Sequence, residues 1–171
     1  PVPGGGQIRR FIQMREEIAN ADAVISVAKI KCHQTAGVTL ATKNLFGLVP
    51  VSRYGSKNRN LMHQNPFRLM RFFVDLAAIL RPDLSVIDGI LGANYTMEGE
   101  AYETEVMLAG HNHVATDAVA TRVMGFDPAA DSPTHPFETA ENHVKLCAEA
   151  GLGPIDPNEI EVVGPAPESF G

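Results

Sequence analysis

The sequence predicts an α/β fold, a three-layer sandwich whose parallel or mixed central sheet has helices on both faces. Residues 23–28 (AVISVA) and 84–90 (LSVIDGI) are short, apolar and rich in β-branched side chains, which is typical of strands buried on both faces. Segments with helical periodicity or helix-capping residues alternate with these strands along the chain. This alternation indicates helices that cover a central sheet.

The first third of the chain predicts a helix, a strand and a second, shorter helix. Residues 8–20 repeat apolar side chains with a helical period, and the strand at 23–28 follows. Residues 29–38 are polar and contain a glycine, so we expect a loop there. A short helix over 39–46 then ends at Gly47.

The middle of the chain predicts one long helix between a basic loop and two strands. Residues 50–63 form the irregular loop, and the helix over 65–80 begins with an asparagine cap and a proline in its first turn. This helix is apolar nearly all round, and we expect its Asp75 to form an ion pair with an arginine of the same helix face. The strands that follow are 84–90 and 105–110.

The last third predicts two helices and a final strand. Asn112 caps a helix over 113–124, and a proline-rich loop at 127–136 separates it from a helix over 137–150. The apolar residues 160–163 predict the last strand. There is no internal repeat, so the pattern indicates one domain.

Length and composition point to one ordinary domain without a nucleic-acid or membrane partner. With 171 residues, of which 44% are hydrophobic, the chain can bury one core. The net charge of −6 argues against nucleic-acid binding, and no apolar run approaches the roughly 20 residues that span a bilayer. We expect a flexible linker at 1–7, a single α/β domain at 8–171, and a full-length protein with a further N-terminal part.

The two cysteines predict a cytoplasmic protein. Cys32 and Cys147 are far apart and form no CxxC pair, so we expect ordinary thiols in a reducing compartment. The glycine-rich motifs that bind nucleotides are absent from the sequence, so no nucleotide cofactor is indicated. The identity of any cofactor is left open by the sequence.

Ionisable side chains follow the predicted strands, at the edge where open α/β sheets bind ligands. Lys31 and His33 leave the first strand with a period of two and should point to the same side. Asp88 lies near the end of the second strand, and Asp117 lies one turn into the helix after the third. We therefore take these four residues as candidate catalytic residues. Lys31 and His33 could bind a carboxylate or phosphate or move a proton, and Asp88 and Asp117 could orient them.

Lys43 and Asn44 add a second cation and an amide donor near the end of the short helix, and we take them as candidate substrate-binding residues. A lysine that is desolvated or crowded by another cation can lose its proton and act as a base. The carboxylate of Asp88 needs a partner, for which Lys31 or Lys43 is expected. Such a pair could equally belong to the scaffold.

His113 and Asp117 are four residues apart and share one face of the predicted helix. The pair could hold a divalent metal, or the carboxylate could orient the imidazole; a solvated surface pair is the alternative. The histidines form no dense ligand motif such as HExxH, so no structural zinc is predicted.

A series of short segments in a fixed order is similar to the family known as domain of unknown function 362. The resemblance runs from about residue 22 to residue 164. The segments that carry it are 23–33 (AVISVAKIKCH), 43–50 (KNLFGLVP), His63, 75–77 (DLA), 81–90 (RPDLSVIDGI), 97–99 (MEG), 109–110 (AG), 117–120 (DAVA), 151–153 (GLG) and 160–164 (IEVVG).

The resemblance implies a bacterial or archaeal α/β domain that is sometimes joined to a ferredoxin-like iron–sulfur module, and it supplies no established activity. The recurring polar positions of the family correspond here to the candidate residues chosen above from the strand ends: Lys31, His33, Lys43, Asn44, Asp88 and Asp117.

The chain departs from the family pattern in two places. Residues 98–102 read EGEAY where the pattern has Glu-Gly-x-Gly-Pro, and Asn112-His113 stands where Asp-Pro usually opens the helix. Asparagine caps a helix as well as aspartate does, so the helix start is expected to survive. The lost Gly-Pro predicts an altered loop near the site and a changed ligand.

Three functional hypotheses follow. The first is an enzyme that binds a small anionic substrate and transfers a proton at the Lys/His/Asp cluster. The second is a non-catalytic accessory module for an iron–sulfur or other redox protein; the chain has no ferredoxin-type cysteine run, so the cluster would belong to that partner. The third is a divalent-metal site, for which the candidate ligands are His113, Asp117, Asp88 and His33.

Overall fold

A four-stranded mixed sheet forms the centre of the protein. The computed structural model describes residues 1–54, 64–94 and 100–170. The strands are β1 (Ile25–His33), β2 (Gly37–Thr39), β3 (Leu84–Ala93) and β4 (Ala101–Gly110), in the order β2-β1-β3-β4. β1 and β3 run parallel, whereas β2 is antiparallel to β1 and β4 is antiparallel to β3. The predicted α/β class is confirmed.

Helices connect the strands and supply the rest of the core. They are α1 (Glu16–Ala19), α2 (Ala41–Asn44), α3 (Val51–Tyr54), α4 (Pro66–Leu80), α5 (His113–Val123) and α6 (His143–Glu149). α2 continues into a 3-10 turn at Leu45–Leu48, and further 3-10 turns lie at Pro3–Gly5, Pro157–Glu159 and Pro167–Phe170. α4 packs mainly against α6 and the turn that follows α2.

Asparagine side chains cap the longer helices. Asn65 accepts a hydrogen bond from a backbone N–H in the first turn of α4, and Asn112 and Asn142 each accept two in the first turns of α5 and α6. Each cap satisfies amides that a helix start leaves without an intrahelical partner. The starts predicted for α4 and α5 are confirmed, whereas α6 begins at His143 instead of residue 137.

The two faces of the sheet differ in burial. In β1 the side chains of Ser26, Ala28 and Ile30 are buried on the side where α2 packs, whereas Ile25 and Val27 are 59% and 63% exposed. The expectation that this strand is buried on both faces is therefore wrong for the described part of the chain. Apolar residues at consecutive positions do not reveal which face a neighbouring layer covers.

The exposed face continues across the neighbouring strands. Ile90 in β3 is 55% exposed and Met107 in β4 is 61% exposed. An apolar surface of this kind is typical of an interaction site when its residues are contiguous.

The buried carboxylate of Asp75 fixes the N-terminal residues to α4. Asp75 is 1% exposed and accepts hydrogen bonds from the backbone N–H groups of Gln7, Ile8 and Arg9, at 2.5, 3.0 and 2.9 Å. Arg71 of the same helix pairs with Glu141. The predicted ion pair of Asp75 with an arginine of its own helix is wrong, because three backbone amides satisfy the carboxylate.

Residues 1–7, which we expected to be a linker, lie against the rest of the protein. Val2 is 4% exposed, and its backbone N–H donates to the carbonyl oxygen of Arg10 over 2.8 Å. These contacts and the hydrogen bonds to Asp75 fix the position of residues 2–10.

Several predicted elements differ from the structure. Within the segment predicted as a helix, 8–20, only Glu16–Ala19 is helical, and residues 29–33 extend β1 where a loop was expected. The short strand β2 was not predicted. Residues 160–163 form no strand, because in the described structure their backbone has no paired neighbour. Most of the predicted loop at 50–63 lies outside the described residues, as do His63 and the family segment 97–99.

Candidate functional site

Asp117 holds the first turn of α2 in place. Its carboxylate is completely buried on α5 and accepts hydrogen bonds from the backbone N–H groups of Ala41 and Thr42, over 2.8 and 2.9 Å. A negative charge at a helix N-terminus is favourable because the unpaired amides carry partial positive charge. Burial raises the pKa of Asp117 to about 6, and the hydrogen bonds from Thr42 and Ala41 oppose that shift.

His113 contacts the same turn of α2. Its Nδ1 lies 2.9 Å from the hydroxyl oxygen of Thr42, and its side chain is buried. Burial and, to a smaller extent, the charge of Arg81 lower the pKa of His113 to about 4, so the imidazole is neutral at pH 7. The Nε2 atom has no hydrogen-bond partner among the described residues. His113 and Asp117 therefore share one helix face, as predicted, and both support α2.

Lys43, at the other end of α2, is a partly buried cation next to a second one. Burial lowers the pKa of Lys43 to about 8, and the positive charge of Lys31 lowers it further in the same direction. In the described ranges, no carboxylate oxygen lies within 4 Å of either ammonium group. The two lysines thus form a positively charged region that carries no ion pair in the described structure.

His143 lies near Lys43 and His33. The Nδ1 atom of His33 accepts hydrogen bonds from the backbone N–H groups of Thr35 and Ala36, at 3.1 and 3.2 Å. Because Nδ1 is an acceptor, the proton of the neutral ring lies on Nε2. Burial lowers the pKa of His143 to about 3, and the charges of Lys43 and His33 contribute to that shift. We refer to Lys31, His33, Lys43 and His143 as the basic cluster.

Asn44 holds α2 against the edge of β1. Its side-chain amide donates to the carbonyl oxygen of Val27 over 3.0 Å and to the hydroxyl of Ser26 over 3.2 Å. The Ser26 hydroxyl in turn donates to the carbonyl oxygen of Ala41 over 2.9 Å. Asn44 therefore positions Lys43, its neighbour in the chain, in addition to any contact with a ligand.

Asp88 has a different partner from the expected one. The Nζ atom of Lys29 lies 2.8 Å from Oδ2 of Asp88, and both side chains are partly exposed on the open face of the sheet. The register of β1 and β3 places these two residues directly opposite each other. The expected pairing of Asp88 with Lys31 or Lys43 is wrong. The hydrogen bond from Lys29 lowers the pKa of Asp88.

The structure thus brings together part of the predicted site. Lys31, His33 and Lys43 lie in the basic cluster, and Asp117 and Asn44 hold the helix that carries Lys43. Asp88 is engaged with Lys29 on the exposed face.

Sequence reasoning did not select Thr42, Lys29 or His143 as site residues, although Lys29 follows the first predicted strand together with Lys31 and His33. Thr42 precedes Lys43 directly, and Lys29 precedes Lys31 by one period of the strand, so both positions were available as signals. His143 follows the asparagine cap of α6. Its burial depends on the packing of α6 against α4, which local patterns do not reveal.

The four candidate metal ligands do not form a metal site. The described residues include no group of three or more His, Cys, Asp or Glu side chains that could hold a metal ion. Asp117 accepts two backbone hydrogen bonds, Asp88 pairs with Lys29, and Nδ1 of His33 accepts two amides. Apart from Nε2 of His113, the candidate ligand atoms named here are therefore engaged within the protein. The metal hypothesis for His113, Asp117, Asp88 and His33 is not supported.

A family model described as "Domain of unknown function (DUF362)" matches residues 1–122. The chain belongs to this family. The family assignment from the sequence is confirmed, and it brings no established activity with it. The matched residues include all six candidate site residues.

A thylakoid-associated protein of Synechocystis sp. is 32% identical to the chain over 160 residues. The alignment covers 88% of this chain and 47% of that relative, so the chain spans about half the length of the curated relative that it matches. No solved structure matches the chain. In the described ranges, no helix has the length and apolar character needed to cross a bilayer.

Proposed function

We propose that this member of the family binds a small anion, a carboxylate or a phosphate, at the basic cluster and acts as an enzyme by transferring a proton there. The proposal depends mainly on one observation: the ammonium group of Lys43 is partly buried and lies near that of Lys31. In the described structure no carboxylate oxygen lies within 4 Å of either ammonium group. Desolvation and the neighbouring charge of Lys31 both disfavour the ammonium form of Lys43. A bound anion would relieve both effects.

The state of Lys43 suits proton transfer. The pKa of Lys43 is about 8, which is about one unit above pH 7. About one tenth of the Lys43 side chains are therefore neutral at pH 7. A general base works best when its pKa lies near the working pH. The Nδ1 atom of His33 accepts two backbone N–H groups, which fix the orientation of the ring beside the cluster. Asp117 and Asn44 would keep Lys43 in position.

Anion binding by the lysines can be measured directly. Inorganic phosphate and acetate are titrated into the protein and followed by calorimetry, and the Lys43 side chain is followed by carbon NMR over pH 6–10. We expect Lys43→Met and Lys31→Met to weaken binding at least tenfold, while thermal unfolding stays near that of the parent. Lys145→Met is the matched control, because the Lys145 ammonium already pairs with Asp131.

Saturating acetate should also raise the pKa of Lys43, because the negative charge favours the ammonium form. Equal binding in the parent and in both lysine variants would contradict the proposal. A pKa of Lys43 that stays unchanged on saturation would contradict it as well, since the anion would then lie elsewhere.

The second candidate is a non-catalytic accessory module for an iron–sulfur or other redox protein. The exposed apolar side chains of Ile25, Val27, Ile90 and Met107 favour a polypeptide partner on that face of the sheet. A ferredoxin-type protein from the same genome is the partner to test by calorimetry. Binding that Val27→Asp abolishes would support this function, whereas no heat of binding would reject it.

A further inference from the structure

An apolar surface on the exposed face of the sheet has no cover among the described residues. Ile25 and Val27 of β1 and Met107 of β4 are each more than half exposed. In the register of the sheet, Val27 lies beside Val86 of β3, and Met107 lies beside Asp88, two residues further along β3. Side chains at alternate positions of a strand point to the same face, so these residues form one surface across three strands.

The charges in the middle of this surface are already paired. The Nζ atom of Lys29 lies 2.8 Å from Oδ2 of Asp88. The apolar side chains of Ile25 and Val27 precede this pair on β1, and Ile90, which is 55% exposed, follows it on β3. A layer that covers this surface therefore needs apolar side chains and no counter-charge for this pair.

The strand arrangement favours helices as the cover of this surface. β1 and β3 are parallel neighbours, and parallel strands are normally covered by helices on both faces. α2 packs on the face of β1 where Ser26 is buried, since the hydroxyl of Ser26 donates to the carbonyl oxygen of Ala41 in α2. In the described ranges, the side chains on the other face remain exposed. The described residues thus supply one of the two helical layers of the usual arrangement.

The curated relative is long enough to supply the second layer. Its 160 aligned residues are 47% of its length, so it has about 340 residues, of which about 180 lie outside the alignment. The exposed face spans three strands that lie about 4.8 Å apart, and helices pack about 10 Å apart, so two helices of about 15 residues would cover it. The part outside the alignment is several times longer than these two helices.

We infer that the exposed face packs against a helical layer from a further part of the same protein, which corresponds to the half of the Synechocystis relative outside the alignment. This layer presents apolar side chains to Val27, Met107 and their neighbours. Because both parts belong to one polypeptide, their effective concentration is high and the contact persists at any protein concentration.

This inference is separate from anion binding at the basic cluster. Lys43 of the cluster lies on α2, which packs on the covered face of the sheet. The inference competes with the second candidate function, in which a separate redox protein occupies the exposed face. A ferredoxin-type protein is therefore one arm of the experiment.

Thiol labelling of the full-length gene product measures whether the exposed face is covered. Val27→Cys introduces a thiol on this face, and Val163→Cys is the matched control because Val163 is 94% exposed outside the sheet. Both variants are treated with N-ethylmaleimide, and the modified position is identified by mass spectrometry of the peptides. We expect labelling at position 27 to be at least about a hundredfold slower than in denaturant, since a buried thiol reacts only when the structure opens. Labelling at position 163 should stay within about tenfold of its rate in denaturant.

Val27→Asp gives a second readout. It should lower the melting temperature of the full-length protein by several degrees, because a charge without a partner would be buried under the helical layer. In the 171-residue chain alone, where Val27 is 63% exposed, the same substitution should change the melting temperature little. Val163→Asp should leave the melting temperature of both proteins unchanged.

Labelling at position 27 as fast as at position 163 would overturn the inference, whether or not the gene encodes a further part. Protection of position 27 that appears only at high protein concentration would overturn it as well, because the cover would then be a second copy of the chain. Protection that appears only when a ferredoxin-type protein is added would assign the face to the redox partner instead. The two positions are compared within the full-length protein, so the result does not depend on whether the 171 residues fold alone.

Discussion

The charge state of Asp117 can be read from the pH dependence of stability. Two effects compete at this carboxylate: burial disfavours the charged form, and the N–H groups of Ala41 and Thr42 favour it. Burial is the larger effect and raises the pKa from 3.8 to about 6. The Asp117→Asn variant removes the titration and keeps one carbonyl oxygen that can accept one of the two hydrogen bonds.

The sign and size of the expected effect follow from proton linkage. Between pH 4 and pH 6 the folded state binds more protons at Asp117 than the unfolded state does, so the contribution of this group to stability is largest below pH 4 and is lost as the pH rises to 6. A shift of about two units corresponds to about 3 kcal/mol. The free energy of unfolding of the parent protein, minus that of Asp117→Asn, should fall by about this amount between pH 4 and pH 7.

Urea unfolding of both proteins at half-unit steps from pH 3.5 to pH 7.5 measures this difference. Subtracting the two curves cancels the other titrating groups, which are common to both proteins. A difference that grows with pH over the same range would refute the reasoning, because it would show that the two amides outweigh burial and hold Asp117 ionised.

Two further predictions concern buried polar groups. The imidazole of His143, whose pKa is lowered to about 3, should stay neutral in NMR titrations down to pH 4. Because folding lowers this pKa, the contribution of His143 to stability is lost as the pH falls from about 6.5 towards 3. Protonation of His143 near pH 6.5 in the folded protein would contradict this prediction. Asp75→Ala should lower the free energy of unfolding by about 3 kcal/mol in urea unfolding, because it removes three hydrogen bonds that partly buried backbone amides donate to a carboxylate. Hydrogen exchange at residues 7–9 should accelerate in the same variant but only slightly in Asp75→Asn, and unchanged exchange in Asp75→Ala would show that Asp75 does not hold this segment.

The parts of the fold that the sequence predicts depend on local chemistry. The caps Asn65 and Asn112 mark the starts of α4 and α5, because an asparagine side chain satisfies amides at the start of its own helix. The apolar segments 23–28 and 84–90 mark the cores of β1 and β3. These signals act within a few residues, so sequence reasoning can detect them.

The elements that differ from the sequence prediction depend on contacts with residues distant in sequence. Residues 8–20 have a helical period, but the N–H groups of residues 7–9 donate to Asp75 on α4, and only Glu16–Ala19 becomes helical. Polar residues 31–33 form a strand because β2 pairs with them. Residues 160–163 are apolar and β-branched, yet they form no strand in the described structure because no neighbouring strand pairs with them.

The candidate site shows the same division. The strand-end rule selected Lys31 and His33, and both lie in the basic cluster. It did not find the partner of Asp88, because Lys29 faces Asp88 only through the register of two strands that are far apart in sequence. The register between two parallel strands is set by packing across the whole sheet, so it cannot be predicted from the sequence of one strand alone.

The short helix α2 connects the scaffold to the proposed chemistry. A helix of four residues has little stability of its own, because forming the first turn is costly. Asp117 and His113 of α5 hold its start through Ala41 and Thr42, and Asn44 fixes its end to β1. The protein therefore uses polar side chains, of which Asp117 and His113 are buried, to fix the position of one partly desolvated ammonium, that of Lys43. A cation held in this way is preorganised for an anion, since little further ordering is required when the ligand binds.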